Sequence, residues 1–303
     1  MLFRSIDSDT LSMVSQLEEL GYSTTAMHPY PASGWERDEV YSYLGFDNMY
    51  FLPDFSGSSR LRSYVSDLGM YRKLISLYEA TRESGDDSPQ FFFGVTMQNH
   101  GSYGKVRNFF PDVTVDGLDI DASSTYYELA TYLSLIKRSD NAFRFLVNYF
   151  SGVDEPTIIL MFGDHQPNDY VVNPILKMNG INMETADIQT QQLRWQTPYI
   201  LWSNYEIDEE DRMEACDTSL NYLGAMMLEH AGIPLTPFQQ WLTEELQPQY
   251  PIMNANCYVD SQGVFHSVAD ITTVRVLNTY AQLQYNLIFD KKHLVEELFS
   301  LRS

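Results

Sequence analysis

The stretch Thr157-Ile-Ile-Leu-Met-Phe162, followed at once by Gly163-Asp164-His165-Gln166-Pro167, decides the fold class. A run of about six mainly apolar residues is short for a helix and is typical of a strand that is buried on both faces. Strands of this kind occur in parallel sheets that helices cover on both sides. The stretch therefore predicts an α/β/α sandwich with a mainly parallel central sheet.

Other parts of the chain repeat the alternation of short apolar runs with longer amphipathic ones. Further strands are predicted at Thr24–Met27, Phe91–Met97 and Pro198–Trp202. The predicted helices are Leu11–Leu20, Ser66–Glu83, Ser124–Phe150, Ser219–Ala231, Pro237–Leu246, Asp270–Leu287 and Lys291–Phe299. A small hairpin is expected at Tyr258–His266. Since no repeat or Gly/Ser linker divides the sequence, we expect one domain, 1–303, with 250–303 as a helical and hairpin subregion.

The charge of the chain excludes one class of partner. Its 303 residues include 41 Asp and Glu but only 19 Lys and Arg, for a net charge of −22. Such a surface repels phosphate backbones, so no nucleic-acid partner is expected. An anionic substrate would then need a metal ion or a few placed cations. No apolar run approaches the ~20 residues that span a bilayer, and Met1–Thr10 has no secretory apolar region, so the chain alone is expected to be soluble.

Asp164 and His165 form a candidate metal site, because they follow the strand that ends at Phe162. Ligands of parallel α/β sheets bind beyond the carboxyl ends of the strands. A carboxylate next to an imidazole suits Zn²⁺ or Mn²⁺ better than Ca²⁺. The alternative is an Asp that caps the following turn beside an unrelated His.

His100 follows a second predicted strand, in the turn Gln98-Asn99-His100-Gly101. It is a candidate for binding a phosphate oxygen or for acid–base chemistry. The alternative is a loop histidine that is hydrogen-bonded to the backbone.

A third cluster follows the first predicted strand and contains His28, Trp35 and Arg37. The guanidinium of Arg37 matches the geometry of a phosphate group, and the Trp35 ring offers a flat apolar wall for a small polyol. The alternative is a core Trp35 with Arg37 paired to Asp38 or Glu36.

Three ordered motifs carry a resemblance to a known family. They are FGDHQP at Phe162–Pro167, TMQNH at Thr96–His100, and H-x6-W-x-R-D-E-x-Y-x-x-L-G-F-D at His28–Asp47. Together they resemble the extracellular domain of lipoteichoic acid synthases. That family belongs to the phosphoglycerol transferase and sulfatase-like branch of the alkaline phosphatase superfamily. The resemblance covers essentially the whole chain.

The resemblance implies a role for each matching residue. Asp164 and His165 correspond to ligands of one divalent metal, Mn²⁺ first, with Mg²⁺ and Zn²⁺ as alternatives. His28, Trp35, Arg37 and His100 correspond to residues that hold the phosphoglycerol group. The family transfers glycerol phosphate from phosphatidylglycerol to an envelope polymer or glycolipid, through a phospho-threonine intermediate. Its catalytic domain lies outside the cytoplasmic membrane.

The sequence departs from the family pattern at the nucleophile. Family members carry a nucleophilic Thr and a Glu metal ligand, preceded by membrane helices, farther upstream of the His28 cluster than this sequence extends. Thr10, Thr24 and Thr25 lie too close to that cluster. We therefore expect a fragment of a longer enzyme that binds metal weakly, has no turnover alone and is prone to self-association through uncovered apolar area.

Three other functions stay open at this point. A sulfatase would need a Cys or Ser in a C/S-x-P-x-R context, which neither Cys216 nor Cys257 has. A phosphoethanolamine transferase or other phosphodiesterase of the same superfamily differs only in its head group. A non-catalytic fragment that only binds phosphoglycerol belongs to a different functional class. The two thiols themselves are expected to be unpaired.

Overall fold

A computed structural model of the chain describes residues 6–7, 10–116, 126–206 and 216–301. The strands are β1 (Ser23–Met27), β2 (Asn48–Tyr50), β3 (Arg60–Leu61), β4 (Tyr64–Val65), β5 (Gln90–Gly94), β6 (Ile158–Phe162), β7 (Tyr199–Ser203), β8 (Ile252–Met253), β9 (Cys257–Val259) and β10 (Phe265–Ser267). The α-helices are α1 (Met13–Glu19), α2 (Arg37–Tyr43), α3 (Asp67–Glu83), α4 (Tyr127–Phe150), α5 (Asp169–Met178), α6 (Ile188–Gln191), α7 (Leu220–His230), α8 (Pro237–Trp241), α9 (Gln247–Gln249), α10 (Arg275–Ile288) and α11 (Glu296–Phe299). Among the helices of these described ranges, none combines the length and apolarity needed to cross a membrane.

The chain divides into two compact units. The N-terminal unit comprises Leu17–Val153 and Pro167–Asn182, and the C-terminal unit comprises Met1–Gln16, Asp154–Gln166 and Met183–Ser303. The first boundary falls inside α1. The expectation of one domain stays a prediction.

A parallel sheet in the order β2-β1-β5 forms the centre of the N-terminal unit. Strand β1 pairs with β5 along its whole length, from Ser23 opposite Gln90 to Met27 opposite Gly94. The carboxyl ends of these two strands therefore lie side by side. This sheet confirms the predicted α/β class with parallel strands.

Apolar packing under this sheet is dense. Met27, Phe55, Val65 and Met70 form one buried cluster. Each such side chain contributes about 1.5–3 kcal/mol to the free energy of folding through its burial. A second cluster is built around Leu135 of α4 and fixes that helix in the same unit. These two cores position the turns that follow β1 and β5.

The C-terminal unit differs from expectation in strand direction. Strands β6 and β7, predicted as members of a parallel sheet, pair antiparallel with Leu160 opposite Leu201. A continuous apolar run shows that both faces of a strand are covered, but it carries no information on direction. The predicted hairpin is confirmed: β9 pairs antiparallel with β10, and its turn contains Gly263 at a φ of 76°.

Helix positions follow the predictions closely where the apolar period is long. The predicted Ser66–Glu83 begins at Asp67 because the Ser66 hydroxyl accepts a hydrogen bond from the Gly69 amide and caps the helix. The predicted Asp270–Leu287 is a 3₁₀ turn at Val268–Thr273 followed by α10, and the predicted Lys291–Phe299 is split into a 3₁₀ turn and α11. Residues 124 and 125, the predicted start of α4, lie outside the described residues.

Candidate functional site

His28 is the first residue after β1 and lies at the carboxyl edge of the parallel sheet. Its backbone amide donates to the Tyr50 carbonyl, so the sheet bonding continues through this residue. The ring is fully buried, and its Nδ1 lies 3.0 Å from the Val95 carbonyl oxygen. A carbonyl only accepts hydrogen bonds, so Nδ1 carries the proton and Nε2 presents a lone pair.

The charge state of His28 follows from its burial. Burial lowers the pKa of His28 to about 4, with a smaller opposing effect from the Val95 hydrogen bond and a further lowering by the charge of Arg37. The imidazole is therefore neutral at pH 7. Its buried Nε2 has no hydrogen-bond partner among the described residues. A buried acceptor without a partner costs about 1–3 kcal/mol, which a ligand hydroxyl would recover.

Trp35 lies on the surface, which rules out the alternative of a core tryptophan. Its side chain is 46% exposed, and both Trp35 and Glu36 adopt left-handed backbone angles, with φ of 58° and 56°. Two consecutive non-glycine residues in this region are strained, by about 1–3 kcal/mol each. Such strain is typical of functional sites.

Rings and cations gather around Trp35. Its ring centroid lies 6.0 Å from that of His28 and 6.2 Å from that of His100. The guanidinium carbon of Arg37 lies 5.1 Å from the Trp35 ring centroid, and its Nη1 donates to the Tyr41 hydroxyl at 3.0 Å. The structure thus brings together the four residues that the sequence singled out for phosphoglycerol.

His100 is exposed and lies in the turn after β5. Its Nδ1 is 3.0 Å from the Gly101 carbonyl oxygen, so this ring, too, has a backbone-bonded Nδ1–H and a free side at Nε2. The alternative of a backbone-bonded loop histidine is therefore compatible with a binding role. Both histidines present acceptor nitrogens in their neutral forms.

Two tyrosines beside this cluster were missed by the sequence interpretation. Tyr30 lies 5.4 Å from the Trp35 ring centroid, and Tyr64 lies 5.8 Å from that of His100. Tyr30 is only two residues after His28 and lies between His28 and Trp35 in the sequence. This position could have marked it as part of the site. Tyr64 belongs to a hairpin too short to show a period, and no sequence signal marks it.

Asp164 and His165 belong to the C-terminal unit and follow β6. The His165 amide donates to Asp164 Oδ1 at 2.9 Å, and His165 Nε2 lies 3.5 Å from Asp164 Oδ2. This separation matches two ligands of one ion at metal–ligand distances of about 2.0–2.2 Å in tetrahedral geometry. Both side chains are about three-quarters exposed.

The donor set around this pair fits part of a metal site. His165 Nδ1 lies 2.9 Å from the Gln166 carbonyl oxygen, which leaves Nε2 as the ligand atom. Within the described ranges, no group of three His, Cys, Asp or Glu side chains is arranged to hold one ion. The pair fits two coordination positions, and its role as metal ligands stays a prediction.

The two cysteines differ in their surroundings. Both are free, Cys216 exposed and Cys257 buried in β9. Burial raises the pKa of the Cys257 thiol, which disfavours the reactive thiolate. The expectation of two unpaired thiols is confirmed.

Comparisons with known proteins show the family of the chain. Residues 4–233 match the protein-family model described as Sulfatase. A Rhizobium meliloti protein named for cyclic beta-1,2-glucan modification is 27% identical over 92% of this chain and 43% of its own length. The lipoteichoic acid synthase of Staphylococcus aureus is 26% identical over 49% of this chain and 22% of its own length. The chain thus spans less than half the length of these relatives.

Solved structures show the same fold. The Streptococcus pyogenes phosphoglycerol transferase GacH, in complex with sn-glycerol-1-phosphate, matches 100% of this chain and 76% of its own, with a TM-score of 0.62 and 19% identity. The lipoteichoic acid synthase LtaP of Listeria monocytogenes matches 98% of this chain and 76% of its own, with a TM-score of 0.60 and 15% identity. The predicted family resemblance and the α/β fold with a parallel sheet are confirmed.

Proposed function

This chain belongs to the sulfatase family, and on that premise we propose that it is part of a metal-dependent transferase that moves glycerol phosphate from phosphatidylglycerol to an envelope polymer or glycolipid. The observation that carries the proposal is the cluster of His28, Trp35, Arg37 and His100 at one sheet edge. The complex of GacH with sn-glycerol-1-phosphate supports it by likeness of fold.

The chemistry of the cluster suits a phosphoglycerol group. The Trp35 face packs against the carbon chain of glycerol. The Arg37 guanidinium, 5.1 Å from that ring, pairs with the phosphate. The neutral His28 accepts a hydrogen bond from a glycerol hydroxyl through Nε2, because its Nδ1–H is already used by Val95. One ligand would thus contact the Arg37 cation and the acceptor nitrogens of His28 and His100.

A divalent ion would be held by Asp164 and His165, with Mn²⁺ as first choice and Mg²⁺ or Zn²⁺ as alternatives. Bound there, the ion would act as a Lewis acid on a phosphoryl oxygen. In this chain, His165 contributes through Nε2 because its Nδ1–H is fixed on Gln166. With two donors from one turn, we expect weak metal binding and no turnover by this stretch alone.

The partners follow from the same proposal. The donor is the phosphatidylglycerol head group, and the acceptor is a glycerol-phosphate polymer or a glycan such as the one for which the Rhizobium meliloti relative is named. The intact enzyme would work on the outer face of the bacterial cytoplasmic membrane. Self-association stays a prediction.

A sulfatase is the less favoured reading of the family. Neither thiol stands in a C/S-x-P-x-R context, and Trp35 gives the site a flat apolar face that sulfate does not require. Phosphoethanolamine transfer is the other alternative, because it differs from phosphoglycerol transfer only in the head group.

Calorimetry tests the proposal. The chain is titrated with sn-glycerol-1-phosphate, phosphoethanolamine and inorganic sulfate, and the Arg37→Ala variant serves as comparison. We expect glycerol phosphate to bind more tightly than the other two and Arg37→Ala to weaken it. Preferential sulfate binding, or equal binding by Arg37→Ala, would contradict the proposal.

A further inference from the structure

A hairpin with a two-residue turn forms hydrogen bonds to the turn that contains His100. Strands β3 and β4 pair with Leu61 opposite Tyr64, so Arg62 and Ser63 form the turn between them. Arg62 Nη2 donates to the His100 carbonyl oxygen at 3.1 Å and also to the Ser102 carbonyl oxygen. The Tyr64 hydroxyl donates to the Gly101 carbonyl oxygen at 3.1 Å. Three consecutive carbonyls of the turn are thus bound by two side chains of one hairpin.

Arg62 is an unusual residue for this position. The first turn residue has a φ of 58°, a left-handed value that glycine adopts most easily in such hairpins. The side chain is nonetheless buried, with 7% of its surface exposed. Because the backbone angle favours glycine, the presence of an arginine at this position indicates a role for its side chain.

Two aromatic rings lie beside the guanidinium of Arg62, which has no acidic partner in the part of the chain that the structure describes. Its central carbon lies 5.6 Å from the Tyr64 ring centroid and 5.5 Å from that of Tyr103. Burial lowers the pKa of Arg62, although an arginine stays charged at neutral pH. Its Nε and Nη1 have no hydrogen-bond partner within the described residues. Both hydrogen bonds of the guanidinium come from Nη2, and both go to carbonyl oxygens of the His100 turn.

The opposite side of the turn is fixed by α3 and α4. The Ser139 hydroxyl accepts hydrogen bonds from the amides of Gln98 at 3.0 Å and Asn99 at 2.8 Å, and donates to Asp67 Oδ2. The Tyr103 hydroxyl donates to the Asn99 carbonyl oxygen at 2.8 Å. Each residue from 98 to 102 therefore makes at least one hydrogen bond to another element or loop residue, which is typical of a preorganised site.

We propose that Arg62 and Tyr64 are positioning residues for His100. Tyr64 binds the Gly101 carbonyl oxygen and Arg62 binds the carbonyl oxygens on either side of it. The Gly101 oxygen is thereby held 3.0 Å from His100 Nδ1, which favours the tautomer that presents Nε2 as an acceptor. Tyr64 also contacts the ring directly, with its oxygen 3.3 Å from Nδ1. The proposal rests on the proposed function only for the identity of the ligand that Nε2 meets.

Two variants test the proposal with little change in volume. Tyr64→Phe removes one hydroxyl and keeps the ring, and Arg62→Lys keeps the charge but loses the fork that spans two carbonyls. Arg60→Lys is the matched control, because Arg60 lies in the same hairpin, is exposed and donates to the Ser63 carbonyl within the hairpin. Long-range ¹⁵N–¹H spectra of the labelled chain report the His100 tautomer, and calorimetry reports its affinity for sn-glycerol-1-phosphate.

We expect His100 to be the Nδ1–H tautomer in the wild type and in Arg60→Lys. In Tyr64→Phe and Arg62→Lys we expect a mixture of tautomers and an affinity lower by about fivefold, the factor that one net hydrogen bond represents. Unchanged tautomer and affinity in both variants, with an affinity loss in His100→Ala, would overturn the positioning role and leave the proposed function intact.

The converse result separates the two proposals. If His100→Ala and Arg37→Ala both bind glycerol phosphate as the wild type does, the proposed function fails, and the tautomer spectra alone decide the positioning role. If Arg62→Lys does not fold, Tyr64→Phe decides, since it deletes a single oxygen.

Discussion

Two turns of this chain end an apolar strand and carry a histidine, yet they are built differently. The turn after β5, which contains His100, is bonded by side chains of the β3–β4 hairpin and of α4, and by the backbone amide of Asp67 at the start of α3. The turn after β6, which contains Asp164 and His165, is exposed, and each of these two side chains bonds within its own turn. The first turn is held by side chains from other elements, whereas Asp164 and His165 project from the second turn with about three-quarters of their side-chain surface exposed.

The largest effect is expected for Asp67, a buried carboxylate that accepts a hydrogen bond from Ser139, which in turn bonds Gln98 and Asn99 of the His100 turn. Burial raises the pKa of Asp67 to about 6, opposed in part by hydrogen bonds from Ser139, Thr96 and Gln98. The folded state therefore binds a proton more tightly than the unfolded state. Stability from this group is present below about pH 4 and is lost as the pH rises to about 6, by about 3 kcal/mol. Asp67→Asn should remove that loss.

Denaturant unfolding of the wild type and Asp67→Asn at pH 4.5 and pH 7.5 measures this effect. Asn keeps an acceptor for Ser139 and mimics the protonated carboxyl. The difference between the two proteins should be larger at pH 7.5, with the variant more stable. A difference that is independent of pH would show that Asp67 is ionised in both states.

His28 should show a pH effect of the opposite sign. Its pKa is lowered to about 4 by burial, so the unfolded chain binds the proton more tightly. Stability from His28 is present above about pH 6.5 and is lost as the pH falls to about 4, again by up to about 3 kcal/mol. In the wild type the two effects largely cancel, and only variants separate them.

His28→Asn, which keeps a nitrogen donor for the Val95 carbonyl, should therefore flatten the acid side of the stability profile. The same unfolding measurements at pH 4.5 and pH 7.5 check this prediction. NMR should also find the His28 ring of the wild type neutral at pH 5.5. A ring that gains its proton near pH 6.5 would contradict the burial argument.

The next prediction compares the two turns by ligand binding. Arg37→Ala should weaken binding of sn-glycerol-1-phosphate by about tenfold to a hundredfold, because a charged hydrogen bond contributes about 1.5–3 kcal/mol. Asp164→Ala should leave this affinity unchanged in metal-free buffer, because Asp164 is proposed to act on the phosphate only through a bound ion. An equal loss in both variants would show that Asp164 contributes to ligand binding without an ion.

The smallest effect is expected for metal. With 1 mM Mn²⁺, the chain should gain less than about 0.5 kcal/mol of stability, because two donors give weak binding. Thermal unfolding with and without Mn²⁺, in the wild type and in Asp164→Ala, measures the gain. A Kd below about 1 µM that depends on Asp164 would contradict this expectation.

Much of the fold followed from apolar periodicity, and its limits are physical. Long helices such as α3 and α4 were predicted to within a few residues because their buried stripes repeat over many turns. The short elements, α2 and the hairpin of β3 and β4, were missed because two to seven residues show no reliable period. The antiparallel pairing of β6 with β7 was missed because direction leaves no mark in an apolar run.

The candidate site shows the same division. His28 and His100 were predicted from their places at strand ends, where parallel sheets bind ligands. The left-handed backbone at Trp35 and Glu36 had no sequence signal, because neither residue favours that conformation. Arg62 and Tyr64 were missed for another reason: their role depends on contacts with residues about 40 positions away.

The indole Nε1–H signal of Trp35 tests the central claim most directly. The ¹⁵N-labelled chain is titrated with sn-glycerol-1-phosphate, and Trp35→Phe identifies the signal among the four tryptophans. We expect a saturable shift of the Trp35 signal in the wild type. The shift should be weaker in Arg37→Ala, and sulfate should not produce it. A Trp35 signal that stays in place, or that moves equally with sulfate, would contradict a phosphoglycerol site at this sheet edge.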